Sequence, residues 1–178
     1  MKYVGLHAQI SRNNSRSALL LIAFPLLIFV AVYAFCVFMF QPEWSEVNYR
    51  FLTYIPFVVA GVVIWFLIAF ATHSSLIQMA TNSKPLERKE NMRIYNLTEN
   101  LCMSVGMTMP KLFIIESDAL NAFASGINEK TFSVTLTRGI IEKLNDQELE
   151  GVIAHELTHI RNKDVRLLII TIIFVGIF

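Results

Sequence analysis

Two long runs without a charged residue constrain this chain more than any other feature of it. Residues 17–40, SALLLIAFPLLIFVAVYAFCVFMF, hold no Asp, Glu, Lys or Arg. Residues 51–83 hold none either, and FLTYIPFVVAGVVIWFLIAFA is their densest part. A helix needs about 20 apolar residues to cross the hydrocarbon core of a bilayer, so each run suffices. Pro25 is tolerable in a spanning helix where neighbours satisfy the freed carbonyl. Pro56, near the start of the second run, suits a first helical turn. A cleavable signal peptide would have an apolar core of about 7–15 residues ending in small side chains. This run is longer and closes on Phe38, Met39 and Phe40. An uncleaved anchor is the better reading.

The expected spans are therefore about 17–40 and 51–71. Residues 41–50 are too few to fold alone and make a tight turn. Trp44, Tyr49 and Tyr54 cluster around that turn, where aromatic rings favour the membrane interface. The polar tail Thr72–Ser83 is expected to emerge from the bilayer. Lys2, Arg12 and Arg16 flank the first run, and Lys84, Arg88, Lys89 and Arg93 follow the second. The turn has only Arg50, beside Glu43 and Glu46. Cationic flanks stay on the cytoplasmic side, so both ends of the hairpin should face the cytoplasm.

Charge elsewhere is concentrated. The chain is 16% charged, and after six charged residues in the first 83 positions the remainder lie between Lys84 and Arg166. This excludes one uniform soluble globule, and the 54% hydrophobic content excludes a disordered chain. A formal net charge of +1 gives no electrostatic reason to expect nucleic acid as a partner. Cys36 and Cys102 belong to different halves and read as free thiols in a reducing setting. Three regions follow: a flank and membrane hairpin over 1–83, a cytoplasmic domain over 84–166, and the start of a third membrane segment over 167–178.

Within the charged region, residues 85–105 read as a helix opened by Pro85, with Ile94, Leu97, Leu101 and Val105 as its apolar stripe and Gly106 as its stop. Leu112–Ile115, Ala119–Ala124 and Thr131–Thr137 supply two or three short strands, expected to form a small antiparallel sheet. The last alternates, with Phe132, Val134 and Leu136 on one face and Thr131, Ser133, Thr135 and Thr137 on the other. A short helical stretch covers Gly139–Leu144. Asn145 then caps a further helix, with Glu148 completing a capping box.

That helix carries VIAHELTHIRN, an H-E-x-x-H motif. At about 100° per residue, His155 and His159 lie about 40° apart on one face, a turn from each other. Two neutral imidazoles so placed can share one zinc ion, and Glu156 can take a proton from a water that the metal has acidified. Leu149, Ile153, Leu157 and Ile160 form a separate apolar face, so the helix can bury one side and present the other. The plainer alternative is a pair of surface histidines with no ligand. A catalytic zinc usually has three protein ligands. Asp164, five residues on, points to the far side if the helix continues, and His7 and His73 belong to the membrane-flanking segments. After Asp164 there is no Asp, Glu, His or Cys. Residues 167–178, LLIITIIFVGIF, would reach about 18 Å as a helix. They are short of a crossing, and the expectation is that the chain stops inside a third span.

These residues resemble the HtpX-type membrane zinc metalloproteases, relatives of the prenyl-protein (CAAX) endoproteases. The resemblance runs through the hairpin, LNAFASG (Leu120–Gly126), and TFSVTLTRGIIEKLNDQELEGVIAHELTHIRNKD into the apolar end. It implies a membrane α+β protein: a two-helix hairpin, then a small zincin-like domain. The implied function is an endopeptidase of the cell inner membrane, active at the cytoplasmic face on damaged or misassembled membrane proteins. It further implies one Zn(2+) on His155 and His159, Glu156 as general base, and Asn121, Ala122, Phe123 and Ala124 as a strand bordering the substrate cleft. Asn121 reads equally as an edge or turn residue. The family's third ligand, a Glu beyond further membrane segments, has no counterpart here. Two other readings remain: a catalytically silent or truncated membrane interaction module, and a prenyl-protein processing protease.

Overall fold

The computed structural model describes residues 6–40 and 43–175. Two helices, α1 (Leu6–Phe40) and α2 (Trp44–Thr81), form the hairpin. Both outrun the expected spans, and the turn is shorter than residues 41–50, because Trp44–Arg50 is already helical. Pro56 therefore sits well inside α2 rather than in its first turn, and α1 continues through Pro25. The polar tail Thr72–Thr81 stays helical, ending at Asn82 in the left-handed conformation.

The helices meet near the tip, where Cys36 and Val47 are fully buried. The Tyr33 hydroxyl donates to Asn48 and its ring meets Phe51 edge-on at 5.0 Å. Outside that seam their apolar side chains face outward: Phe38 is 85% exposed and Phe57 73%. No residue in the most apolar 18-residue stretch of α2 is buried. A core helix of a soluble domain would bury such a stretch; exposed over this length, it calls for an apolar solvent.

The second unit is a four-stranded sheet with helices. Its elements are β1 (Lys84–Pro85), α3 (Met92–Val105), β2 (Lys111–Ile115), β3 (Ala122–Ser125), β4 (Ser133–Thr137), α4 (Arg138–Lys143), α5 (Asp146–Asn162) and α6 (Asp164–Val175). The helix expected from Pro85 begins only at Met92. Lys84 and Pro85 instead pair with Ile114 and Phe113, and the Asn91 side chain caps α3 by accepting from the Ile94 N–H at 3.1 Å. Its stripe is also shifted, with Ile94, Thr98 and Cys102 buried and Val105 exposed. Gly106 ends it at φ +64, as expected.

The sheet order is β1-β2-β4-β3. The expected antiparallel sheet is mixed. β1/β2 and β3/β4 are antiparallel, but β2 and β4 run parallel, pairing Leu112 with Val134 and Ile114 with Leu136. The reason is that β4 returns between β2 and β3. As a central strand it is buried at all five positions, its Ser/Thr face included. Its hydroxyls find partners inside: Ser133 bonds Ser125 at 2.7 Å, and Thr137 donates to the Asn121 carbonyl at 3.0 Å.

Leu112, Ile114, Val134 and Leu136 form a core with Ile94 of α3 and with Leu149, Ile153, Leu157 and Ile160 of α5. A second cluster, Ala69, Ile127, Val165 and Ile169, docks this unit on α2 through α6. Cys36 and Cys102 are free and buried, and burial pushes the Cys102 thiol up.

Gly126 turns the β3–β4 hairpin at φ +115, and a Cβ there would lie 2.5 Å from the Thr131 carbonyl oxygen. Gly126→Ala should cost about 2–4 kcal/mol through strain and backbone displacement. Thermal unfolding in detergent reads this, and an unchanged midpoint would contradict the hairpin geometry.

Candidate metal centre

Helix α5 begins where its sequence says it should. The Asn145 side chain accepts from the Glu148 N–H at 3.0 Å, and the Glu148 carboxylate accepts from the Asn145 N–H at 3.0 Å. Arg93 of α3 fixes the same end, donating to the Ile141 carbonyl at 2.9 Å, the Leu144 carbonyl at 2.8 Å and the Asp146 carboxylate. These bonds satisfy carbonyls that the end of α4 leaves without helical partners. With Leu149, Ile153, Leu157 and Ile160 buried, the rotation of α5 is set and His155 and His159 are left on an open face.

The two imidazoles stand edge to face, 4.6 Å between centroids, and their Nε2 atoms are 3.1 Å apart. Two nitrogens each 2.0–2.1 Å from one tetrahedral ion would be about 3.3 Å apart. The pair fits two positions of a zinc coordination sphere. Among the described residues no third His, Cys, Asp or Glu completes a metal-binding group with them.

The other end of α5 departs from expectation. Lys163 takes the left-handed conformation at φ 58, ψ 21 and its N–H bonds the Ile160 carbonyl. The helix stops, and Asp164 opens α6 at a corner instead of continuing to the far side. Its carboxylate turns back. One oxygen accepts from the Val165 N–H at 2.8 Å and the other from His159 Nδ1 at 2.9 Å. A carboxylate can only accept here, so Nδ1 of a neutral His159 carries the proton and Nε2 presents its lone pair. Such a partner orients an imidazole and raises its basicity toward a metal. Extending the helix in sequence puts Asp164 on the far side, although an Asp ahead of an apolar helical run is an N-terminal signal. The corner is held from the hairpin as well. Asn13 of α1 is buried and donates to the Asn162 carbonyl at 3.1 Å.

Glu156 is buried to 9% exposure yet lines a cleft of about 370 Å³ with His159, Asp164, Phe123, Ala124 and Leu168. Of the strand residues singled out in sequence, Phe123 and Ala124 reach this cleft. Ala122 pairs with Leu136 and packs on the core; Asn121 precedes β3, its backbone tied to Thr137. β3 is an edge strand and packs beside α5.

The sequence of residues 88–177 matches the model of peptidase family M48. A protein named "Protease HtpX homolog" from Bacteroides fragilis is 60% identical over 188 residues, covering all of this chain and 58% of that protein. Proteins of the same name from Lactobacillus acidophilus and Listeria monocytogenes are 30% and 40% identical, over 97% and 67% of this chain and 55% and 40% of their own lengths. The chain thus spans about 58%, or less, of these curated relatives.

If Asp164 backs the metal ligand, Asp164→Ala should weaken zinc binding about 10–100-fold. Competition against a chromophoric chelator measures this, and an unchanged affinity would remove Asp164 from the site.

Proposed function

The chain belongs to peptidase family M48, of HtpX type, and from that premise we propose that it builds the hairpin and catalytic helix of a membrane zinc endopeptidase. The observation that carries the zinc reading is the pair of Nε2 atoms 3.1 Å apart with the Asp164 carboxylate behind one of them. In this reading His155 and His159 hold one zinc ion in the domain formed by residues 84–166. When bound, such an ion supplies a Lewis acid that acidifies water and polarises a carbonyl.

The remaining chemistry belongs to the chain's own side chains. Glu156 lies one residue from His155 and opens on the same cleft as His159. Its carboxylate takes the proton from the attacking water and delivers it to the departing amine. Its largely buried position keeps bulk water from competing for that proton. Asp164 holds His159 in the tautomer that offers Nε2. The substrate reading rests on β3, whose outer edge is not paired within the four-stranded sheet. An extended peptide added there by backbone hydrogen bonds would pass Phe123 and Ala124 on its way to Glu156.

The substrates proposed are membrane or misfolded proteins, and the setting is the inner membrane with the domain on the cytoplasmic face. The cationic flanks support that orientation. Arg12, Arg16, Lys84, Arg88, Lys89 and Arg93 lie at the open end of the hairpin, whereas Arg50 at the tip is paired to Glu46 at 2.7 Å.

Glu156→Gln should retain zinc while cleavage of an unfolded protein substrate falls by at least about 10²-fold. Zinc content and cleavage are measured on the same preparation. Cleavage at the parent rate would defeat the assigned mechanism, and no cleavage by either protein would favour a silent membrane module.

A further inference from the structure

Of the eleven Lys and Arg residues from Lys84 to Arg166, four are in ion pairs among the described residues. Arg88 pairs with Glu99, Lys89 with Glu87, Arg93 with Asp146 and Arg138 with Glu116. Three of the others converge where the unit meets the hairpin. There Lys130, Lys163 and Arg166 line one cleft of about 540 Å³, with Asn128 beside them and Glu129 as the one acidic residue in its wall. Among the described residues none of these three cations is in an ion pair. Arg166 also carries a buried Nε without a hydrogen-bond partner. A guanidinium N–H withdrawn from water and left unbonded is costly, and an anionic oxygen in the cleft would relieve it.

The position of the cleft narrows what that anion is. Ile127, in the same loop as Lys130, packs with Ala69 of α2 and with Val165 and Ile169 of α6, and Ile77 lies against the same cluster. Ala69 and Ile77 bracket Thr72–Ser75, where the apolar run of α2 turns polar. Lys163 and Arg166 immediately precede the apolar stretch of α6 that begins at Leu167. Both walls therefore place the cations at the depth where hydrocarbon gives way to headgroups, with Ile127 and Phe132 as apolar lining. Basic residues at that depth attract anionic lipid.

We propose that this cleft binds the phosphate of an anionic phospholipid in the leaflet on the domain's side of the membrane. Lys130, Lys163 and Arg166 surround the phosphate, and the acyl chains follow the apolar surface toward the bilayer. The proposal rests on the hairpin crossing a membrane and is independent of zinc and of peptide cleavage.

The test is native mass spectrometry of the detergent-purified protein offered phosphatidylglycerol or phosphatidylcholine of equal chain length, with glycerol phosphate as a headgroup lacking tails. Phosphatidylglycerol should be retained at least about fivefold more tightly than phosphatidylcholine, and Lys130→Gln should lose about fivefold of that affinity. The double variant Lys130→Gln/Arg166→Gln should lose more. Lys130 is exposed in a loop, so its substitution does not depend on the fold surviving loss of a part-buried arginine. Equal retention of the two lipids would overturn the proposal, as would undiminished phosphatidylglycerol binding in Lys130→Gln. Glycerol phosphate displacing the lipid at matched concentration would also overturn it, by identifying a soluble phosphate as the ligand.

Discussion

The corner between α5 and α6 is the constraint on which the rest depends. One residue in the left-handed conformation, Lys163, ends the histidine-bearing helix and starts the next. Such a backbone is strained for a residue with a Cβ, by about 1 kcal/mol, and persists only where its surroundings over-determine it. They do so from three sides. Asp164 bonds both α6 and His159, Val165 sits in the cluster with Ala69 and Ile127, and Asn13 reaches the Asn162 carbonyl from α1. The membrane hairpin, the sheet-bearing unit and the imidazole pair thus meet at three consecutive residues, Asn162, Lys163 and Asp164.

The two halves of the chain obey different solvation rules, which explains why they need such a joint. α1 and α2 leave long apolar surfaces outward and make few buried contacts, as helices in hydrocarbon do. The sheet-bearing unit buries Leu136, Leu149 and Ile153 completely and covers its exterior with ion pairs, as a unit in water does. The candidate metal pair lies at the boundary, on the last turns of α5, within reach of groups from either side.

Much of this was legible in the sequence. The charge-free runs gave the hairpin, the Asn145–Glu148 spacing gave the start of α5, and H-E-x-x-H gave the two imidazoles on one face. Other features were hidden because their signals are not local. Pro85 looks like a helix opening until β2 is there to pair with it and Lys84. The alternation of β4 does not say that its Ser/Thr face is buried, because hydroxyls read as polar whether they bond water or, like Ser125 and Ser133, each other. Asp164 was placed by helical extrapolation, which fails at a single left-handed residue that carries no glycine to announce it.

The central claim is that His155 and His159 share one metal ion. Zinc K-edge X-ray absorption on the purified protein, beside His159→Ala, tests it most directly. Two imidazole nitrogens at about 2.0–2.1 Å in the parent, falling to one or to loss of the metal in the variant, is the result this account predicts. A zinc sphere without imidazole, or one identical in the two proteins, would contradict it.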